Sequence, residues 1–350
     1  MNRSFDQRLA DLAQWRPSGD VLTITCVDAH TGGEPLRVVL AGFPEVPGLD
    51  ILAKRRYARE HLDHLRTMLM YEPRGHADMY GCLITPPVRP DSHFGVLFLH
   101  NEGFSTMCGH GIIAVTKVVL DMGLFPPDTG PLHIDTPAGL VIAEASLRNG
   151  NVDSVSFQNV PSFVVALDCR VKVPGWGEVT YDLAFGGAFY AYVDAASLGL
   201  SLSSVESAAL IQAGRAVKKA VTEAGPIQHP FEDDLGFLYG TIFSGRPQSS
   251  EADLRNVCIF AEGEVDRSPT GTGVSGRMAI AHARGQVRVG ESLVVESIVG
   301  SKFQGTVIEE TKVGTYLGIV PQVRGEAFIT GIHHFFADPG DPFKSGFFLR

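Results

Sequence analysis

Two glycine-rich stretches far apart in the chain, MCGHG at Met107–Gly111 and SPTGTG at Ser268–Gly273, constrain it most. Each is built of small residues and runs straight into an apolar helical pattern. Gly109–Met122 follows the first stretch and Thr272–Arg284 the second, which stops before Gly285, a position suited to a C-terminal cap. Both segments are apolar on most sides, so each is predicted to be a buried helix. A helix start offers unpaired N–H groups and a partial positive charge, and glycine lets an anion come close. The chain therefore carries one carboxylate-binding device twice. Cys108 heads one copy and Thr270 the other.

Strand-like segments dominate the rest: Val21–Val27, Leu36–Ala41, Gly95–His100, Leu132–Asp135, Val152–Gln158, Phe163–Leu167, Ala188–Val193, Asn256–Phe260, Ser292–Val299 and Thr306–Val313. Ala53–Met70 reads as one helix. Ser203 and Glu206 have capping-box spacing ahead of another over Ala208–Glu223. Phe5, Leu9, Leu12 and Trp15 recur at helical spacing and predict a short docking helix. The expected architecture is α+β: two halves divided after Asn159, each with strands around a buried helix. The tail Phe328–Phe335 is expected to return to the first half.

The composition narrows the function classes. A chain of 350 residues, 44% hydrophobic and 19% charged, has ample core and is not a disordered segment. Its net charge of −10 and scattered basic residues argue against nucleic-acid or anionic-membrane partners. The longest basic run, Lys54–Arg56, reads as a solvated helix face. No apolar run reaches the ~20 residues of a membrane-spanning helix. The N-terminal residues lack the pattern of a secretory signal. Five cysteines, without CxxC spacing, suit free thiols in a reducing cytoplasm. His30, His76, His110 and His229 lack metal-ligand spacing, and HPFEDD at His229–Asp234 reads as an exposed acidic loop.

At the head of a helix Cys108 is expected to have a lowered pKa and to act as a base or nucleophile. Two rival chemistries are weighed. Gly271–Gly276 matches the G-x-G-x-x-G dinucleotide pattern, with Glu291 and Glu296 about 20 residues on. That pattern needs a strand ending at the first glycine, and Asn256–Phe260 stops well short. A thiol hydrolase would use His110 beside Cys108, but a residue two positions into a helix start is expected to turn away.

HTGGEP at His30–Pro35, EPRGHADMYG at Glu72–Gly81, MCGHG, DTPAG at Asp135–Gly139 and DRSPTGTG at Asp266–Gly273 together span almost the whole chain. In content and order they resemble the proline racemase family, which shares the diaminopimelate epimerase fold. The resemblance implies two pseudo-symmetric domains, residues 1–159 plus 328–350 carrying Cys108 and residues 160–327 carrying Thr270, with the active site in the cleft between them. Racemases and epimerases of the family place a cysteine on each face of the substrate α-carbon. Cys108 matches one, and Thr270 stands where the second would be. Gly109, His110, Gly271 and Thr272 match positions that hold the substrate carboxylate, and Asp266 the residue that binds the ring nitrogen.

A threonine hydroxyl is a poor base near neutral pH, so this pair should racemise badly. Members with cysteine then threonine resemble dehydratases of trans-3-hydroxy-L-proline, which implies elimination of water to Δ1-pyrroline-2-carboxylate with Cys108 taking the α-proton. Hydroxyproline epimerase or proline racemase is the alternative within the family, and a non-catalytic imino-acid-binding protein the alternative outside it. No cofactor or metal is implied. The expected partner is a hydroxyproline-type imino acid, and the chain is compatible with a homodimer. His30–Glu34 and Arg74–His76 read equally as cleft walls and as structural turns.

Overall fold

Short apolar and alternating segments become strands that hydrogen-bond into one continuous sheet curled around two buried helices. The computed structural model describes residues 4–19 and 21–349. The first strands are β1 (Leu22–Thr31), β2 (Glu34–Ala41), β3 (Tyr80–Thr85), β4 (Phe94–His100), β5 (Gly103–Ser105), β6 (Leu132–Thr136), β7 (Gly139–Arg148) and β8 (Asn151–Gln158). There follow β9 (Ser162–Val173), β10 (Gly177–Phe185), β11 (Phe189–Asp194), β12 (Leu238–Gly245), β13 (Leu254–Phe260), β14 (Glu264–Val265), β15 (Ser292–Glu296), β16 (Lys302–Val313), β17 (Tyr316–Gly325) and β18 (Ala327–Ala337). The helices are α1 (Phe5–Leu12), α2 (Ile51–His61), α3 (Asp63–Met70), α4 (Gly109–Asp121), α5 (Ser207–Ala224) and α6 (Gly271–Ala283).

One order of pairings occurs twice. In the first, β18, β1 and β2 are antiparallel neighbours, β2 lies parallel to β3, and β3, β4 and β5 are antiparallel. Strand β4 then lies parallel to β6, followed by antiparallel β7 and β8. The second runs β9, β10, β11, then β12 parallel to β11, then β13 and β14. It ends with β15 parallel to β13, then β16 and β17. Parallel neighbours need a crossover; α2 and α3 supply the first and α5 the second. The terminal strands of the two sets join, with Gln158 of β8 opposite Gln322 of β17. The tail returns as expected, β18 pairing with β1 from Leu22↔Ala337 to Thr31↔Ala327.

Helix α4 packs its Ile112–Val115 run inside the first set, and α6 packs Val274, Met278 and Ile280 inside the second. Each is covered on nearly every side, which is why both sequences are apolar all round.

Several expectations need correction. The helix expected over Ala53–Met70 is two, broken at Leu62 (φ −121°), where Asp63 turns to bind Arg66. Lys54 and Arg55 are buried, with Arg55 donating to the Phe104 carbonyl; only Arg56 remains at the surface, paired with Asp234. Ser203 and Glu206 form no capping box. Ser203 caps a 3-10 turn, and Glu206 reaches back to the Ser201 N–H. Helix α1 forms, with a capping box of Ser4 and Gln7, but its apolar side chains Phe5, Leu9 and Leu12 stay exposed instead of docking; beyond it Trp15 meets Phe336. The strand expected to Val299 ends at Glu296. Strands β3, β5, β7, β10, β12, β14 and β17 were missing from the sequence reading. Among the described residues no helix is long and apolar enough to cross a membrane.

Candidate active site

The N-termini of α4 and α6 meet head to head, glycine against glycine. A Cβ on Gly109 would lie 2.5 Å from Cα of Gly271, and one on Gly271 would lie 2.7 Å from Cα of Gly109. At that point a small cavity is lined by Cys108, Gly109, His110, Asp266, Thr270, Gly271 and Thr272. All seven residues singled out in the sequence come together there. Cys108 lies in the loop after β5 and Thr270 in the loop after β14, the corresponding strand of the second set.

The two loop heads are built differently. Cys108 is extended (φ −147°, ψ 105°) and caps α4 itself, its Sγ accepting from the Gly111 N–H at 3.2 Å. Thr270 has φ 67° and ψ 96°, a conformation that costs about 1–3 kcal/mol for a residue with a Cβ and is found mainly at functional sites. Turned this way, its hydroxyl does not cap α6. Thr270 Oγ1 is buried without a hydrogen-bond partner of ordinary geometry. The Cys258 thiol of β13 lines the same cavity; burial pushes its pKa up, and the Thr270 hydroxyl opposes that rise. The first turn of α6 therefore presents its N–H groups with no side-chain cap.

Burial, not the helix field, sets the state of Cys108. Desolvation pushes the thiol well above its ordinary value; the Gly111 N–H opposes this, while the carboxylates of Asp266 and Glu34 add to it. The expectation of a lowered pKa is thus corrected. His110 also departs from expectation. Cys108 Sγ folds back over the first turn, and there it meets the imidazole edge, 3.2 Å from Nδ1 and 3.5 Å from Nε2. Burial holds His110 below its usual range, which favours the neutral ring. Asp266 is 4% exposed and accepts the Ser268 N–H on Oδ1 at 2.7 Å.

Sequence reasoning missed the tyrosines of the cavity wall. Tyr80 Oη lies 2.5 Å from Ser105 Oγ and 3.2 Å from Tyr239 Oη; Tyr190 Oη lies 2.8 Å from Thr272 Oγ1. Tyr80 was already inside the EPRGHADMYG stretch, but Tyr239 sits on a strand that the sequence did not signal. The glycines that mimic a dinucleotide pattern have a packing cause. A Cβ on Gly273 would meet Ile242 Cδ1 at 2.4 Å, and one on Gly276 would meet Tyr192 Oη at 2.2 Å. Outside the cavity, His229 packs against Phe185, and His76 contacts the Ala77 carbonyl.

Known proteins resemble this chain along nearly its whole length. The family model described as proline racemase matches residues 26–348. A trans-3-hydroxy-L-proline dehydratase of Bacillus cereus is 50% identical over 328 residues, covering 93% of this chain and 98% of that protein. A protein of the same name from Colwellia psychrerythraea is 46% identical, covering 100% of each chain. The crystal structure of a hydroxyproline epimerase from Agrobacterium vitis, with bound trans-4-hydroxy-L-proline, superposes with a TM-score of 0.87 at 32% identity, covering 94% of this chain and 96% of that one.

Proposed function

This chain belongs to the proline racemase family, and from that premise we propose that it dehydrates trans-3-hydroxy-L-proline to Δ1-pyrroline-2-carboxylate. The observation that carries the reading is a cavity with a thiol at one helix head and a hydroxyl at the other, Cys108 and Thr270. The identity of about one half with two relatives named as that dehydratase supports it. We read the two sets of strands as two pseudo-symmetric diaminopimelate epimerase-like domains, residues 1–159 plus 328–350 and residues 160–327; residues 1–3, 20 and 350 lie outside the described structure. The cavity then occupies the cleft between them, and the twice-used pairing order supports the division.

In this reading the substrate carboxylate lies against the N–H groups at Gly109, His110, Gly271 and Thr272, where partial positive charge and glycine access coincide. The ring ammonium faces Asp266 as a charge-assisted pair. That cation cancels part of the negative charge that raises the Cys108 pKa, so substrate binding favours the thiolate. The His110 ring lies within hydrogen-bond reach of the sulfur, 3.2 Å from Nδ1.

Stereochemistry assigns the rest. The carboxylate and the 3-hydroxyl lie on opposite faces of the substrate ring, so the α-hydrogen and the hydroxyl share a face. Cys108 Sγ takes the C2 proton, the C–H electron pair becomes the C2=C3 bond, and the C3–O bond breaks. The departing oxygen leaves as water with the proton that Cys108 has just acquired. The enamine then moves a proton from nitrogen to C3 to give the cyclic imine. Thr270 contributes a neutral hydroxyl to the opposite face without ionising.

The test is an assay of purified protein with trans-3-hydroxy-L-proline, trans-4-hydroxy-L-proline and L-proline. A 2-aminobenzaldehyde adduct from the first substrate alone, lost in Cys108→Ser, supports dehydration. Inversion of optical rotation with either of the others, and no adduct, would instead establish an epimerase, the activity named for the Agrobacterium vitis neighbour.

A further inference from the structure

The turn between β1 and β2, Thr31–Pro35, grips both catalytic loops. Thr31 Oγ1 donates to the His110 carbonyl at 2.9 Å, on the cysteine loop. The Gly32 carbonyl accepts Ser301 Oγ at 2.8 Å, and a Cβ on Gly32 (φ 59°) would sit 2.8 Å from that same oxygen. Glu34 crosses to the threonine loop. Its Oε2 accepts the Arg267 backbone N–H at 2.7 Å, and the Arg267 guanidinium lies 3.3 Å from Oε2 and 3.5 Å from Oε1. The same Nη1 donates to the Asp78 carbonyl at 2.7 Å. Asp266, the residue read above as the ammonium partner, immediately precedes the clamped N–H.

Glu34 is fully buried while its partner Arg267 is 27% exposed at the side chain. A buried carboxylate beside another carboxylate is a poor way to gain stability. It is a good way to fix a backbone: the Glu34–Arg267 contact links a strand turn of the first set to the loop that carries Asp266 and Thr270.

We infer that Glu34 is a positioning residue, which acts through the Arg267 backbone to hold Asp266 where it meets the substrate ammonium. The inference rests on the proposed imino-acid function. It assigns Glu34 no contact with substrate and no proton transfer. What matters is reach: the second carboxylate oxygen must extend from the β1–β2 turn to the Arg267 N–H.

The test compares three variants. Glu34→Gln keeps an acceptor oxygen at the same reach and removes the charge. Glu34→Asp keeps the charge and falls one methylene short, and Glu34→Ala removes both. Binding is measured by calorimetry with trans-3-hydroxy-L-proline in a Cys108→Ser background, where no turnover occurs. Glu34→Ala and Glu34→Asp are expected to weaken binding about tenfold or more, and Glu34→Gln to stay within about threefold, as expected for one lost or retained hydrogen bond to the Arg267 backbone. In the active enzyme the same order should appear in KM, with kcat changing less.

Unchanged affinity in Glu34→Ala overturns the inference while leaving the dehydratase reading intact. So does the reverse order, Asp like wild type and Gln impaired, which would make charge the operative property. Should Glu34→Ala fail to fold, the Gln and Asp pair decides the question. If the Cys108→Ser protein binds neither this ligand nor L-proline, the functional reading and this inference fall together.

Discussion

In the proposed mechanism Thr270 is where a single side chain redirects the chemistry. Cys108 spends its sulfur capping α4, whereas Thr270 is held at positive φ with its hydroxyl buried near the Cys258 thiol. Thr270→Ala should retain dehydration within about tenfold if Cys108 handles both proton transfers on one face, as assayed by imine formation; complete loss would show that the hydroxyl takes part in them. Thr270→Cys should introduce exchange of the α-hydrogen of L-proline with solvent deuterium, detectable by proton NMR, because it restores a thiol to the second face.

The elevated Cys108 pKa makes a further residue-scale prediction. Burial and the Asp266 and Glu34 carboxylates oppose ionisation of Cys108, and in the proposed mechanism the thiolate takes the α-proton. Activity should therefore climb as pH rises across about pH 6 to 9, with kcat/KM, which reports the free enzyme, climbing at higher pH than kcat. A flat kcat/KM profile over that range would contradict this electrostatic account.

At the scale of elements, the contact between α4 and α6 sets the separation of the two loop heads. Gly109→Ala or Gly271→Ala would drive a methyl into the backbone of the opposite helix. A displacement of about 1 Å at a reacting centre can cost on the order of 100-fold. Each variant is expected to lose activity on that scale while keeping its far-ultraviolet circular dichroism; near-normal kcat/KM would mean that the loops tolerate separation.

The same elements show what sequence could reveal. Helices α4 and α6 were legible to within a residue or two because glycine-rich heads and all-round apolarity have one structural meaning. Strands β3, β10 and β12 were not legible. Buried on both faces or rich in glycine and aromatic residues, they lack the alternation that marks a half-buried strand. The break at Leu62 was equally silent, since neither glycine nor proline marks it. In the site, residue types at helix heads were readable, but the His110–Cys108 approach depends on a cap conformation that spacing does not encode. Tyr239 and Cys258 reach the cavity through tertiary packing alone.

At the scale of the molecule, two strand sets of matching order are stitched by β8 and β17 and by polar contacts around the cavity. Thr106 Oγ1 meets the Gly187 carbonyl, Arg56 pairs with Asp234, and buried His100 meets Glu264. In the proposed mechanism catalysis by such a frame is a matter of placement: opposed helix ends for the carboxylate, Asp266 for the ammonium, one thiol for the α-proton. The central claim is that this placement eliminates water from one face instead of inverting a centre. The direct measurement is proton NMR of purified protein acting on trans-3-hydroxy-L-proline in deuterium oxide. The account predicts stoichiometric conversion to Δ1-pyrroline-2-carboxylate with no 2-epimer, and no reaction in Cys108→Ser. Accumulation of the C2-deuterated epimer with its 3-hydroxyl retained would contradict it.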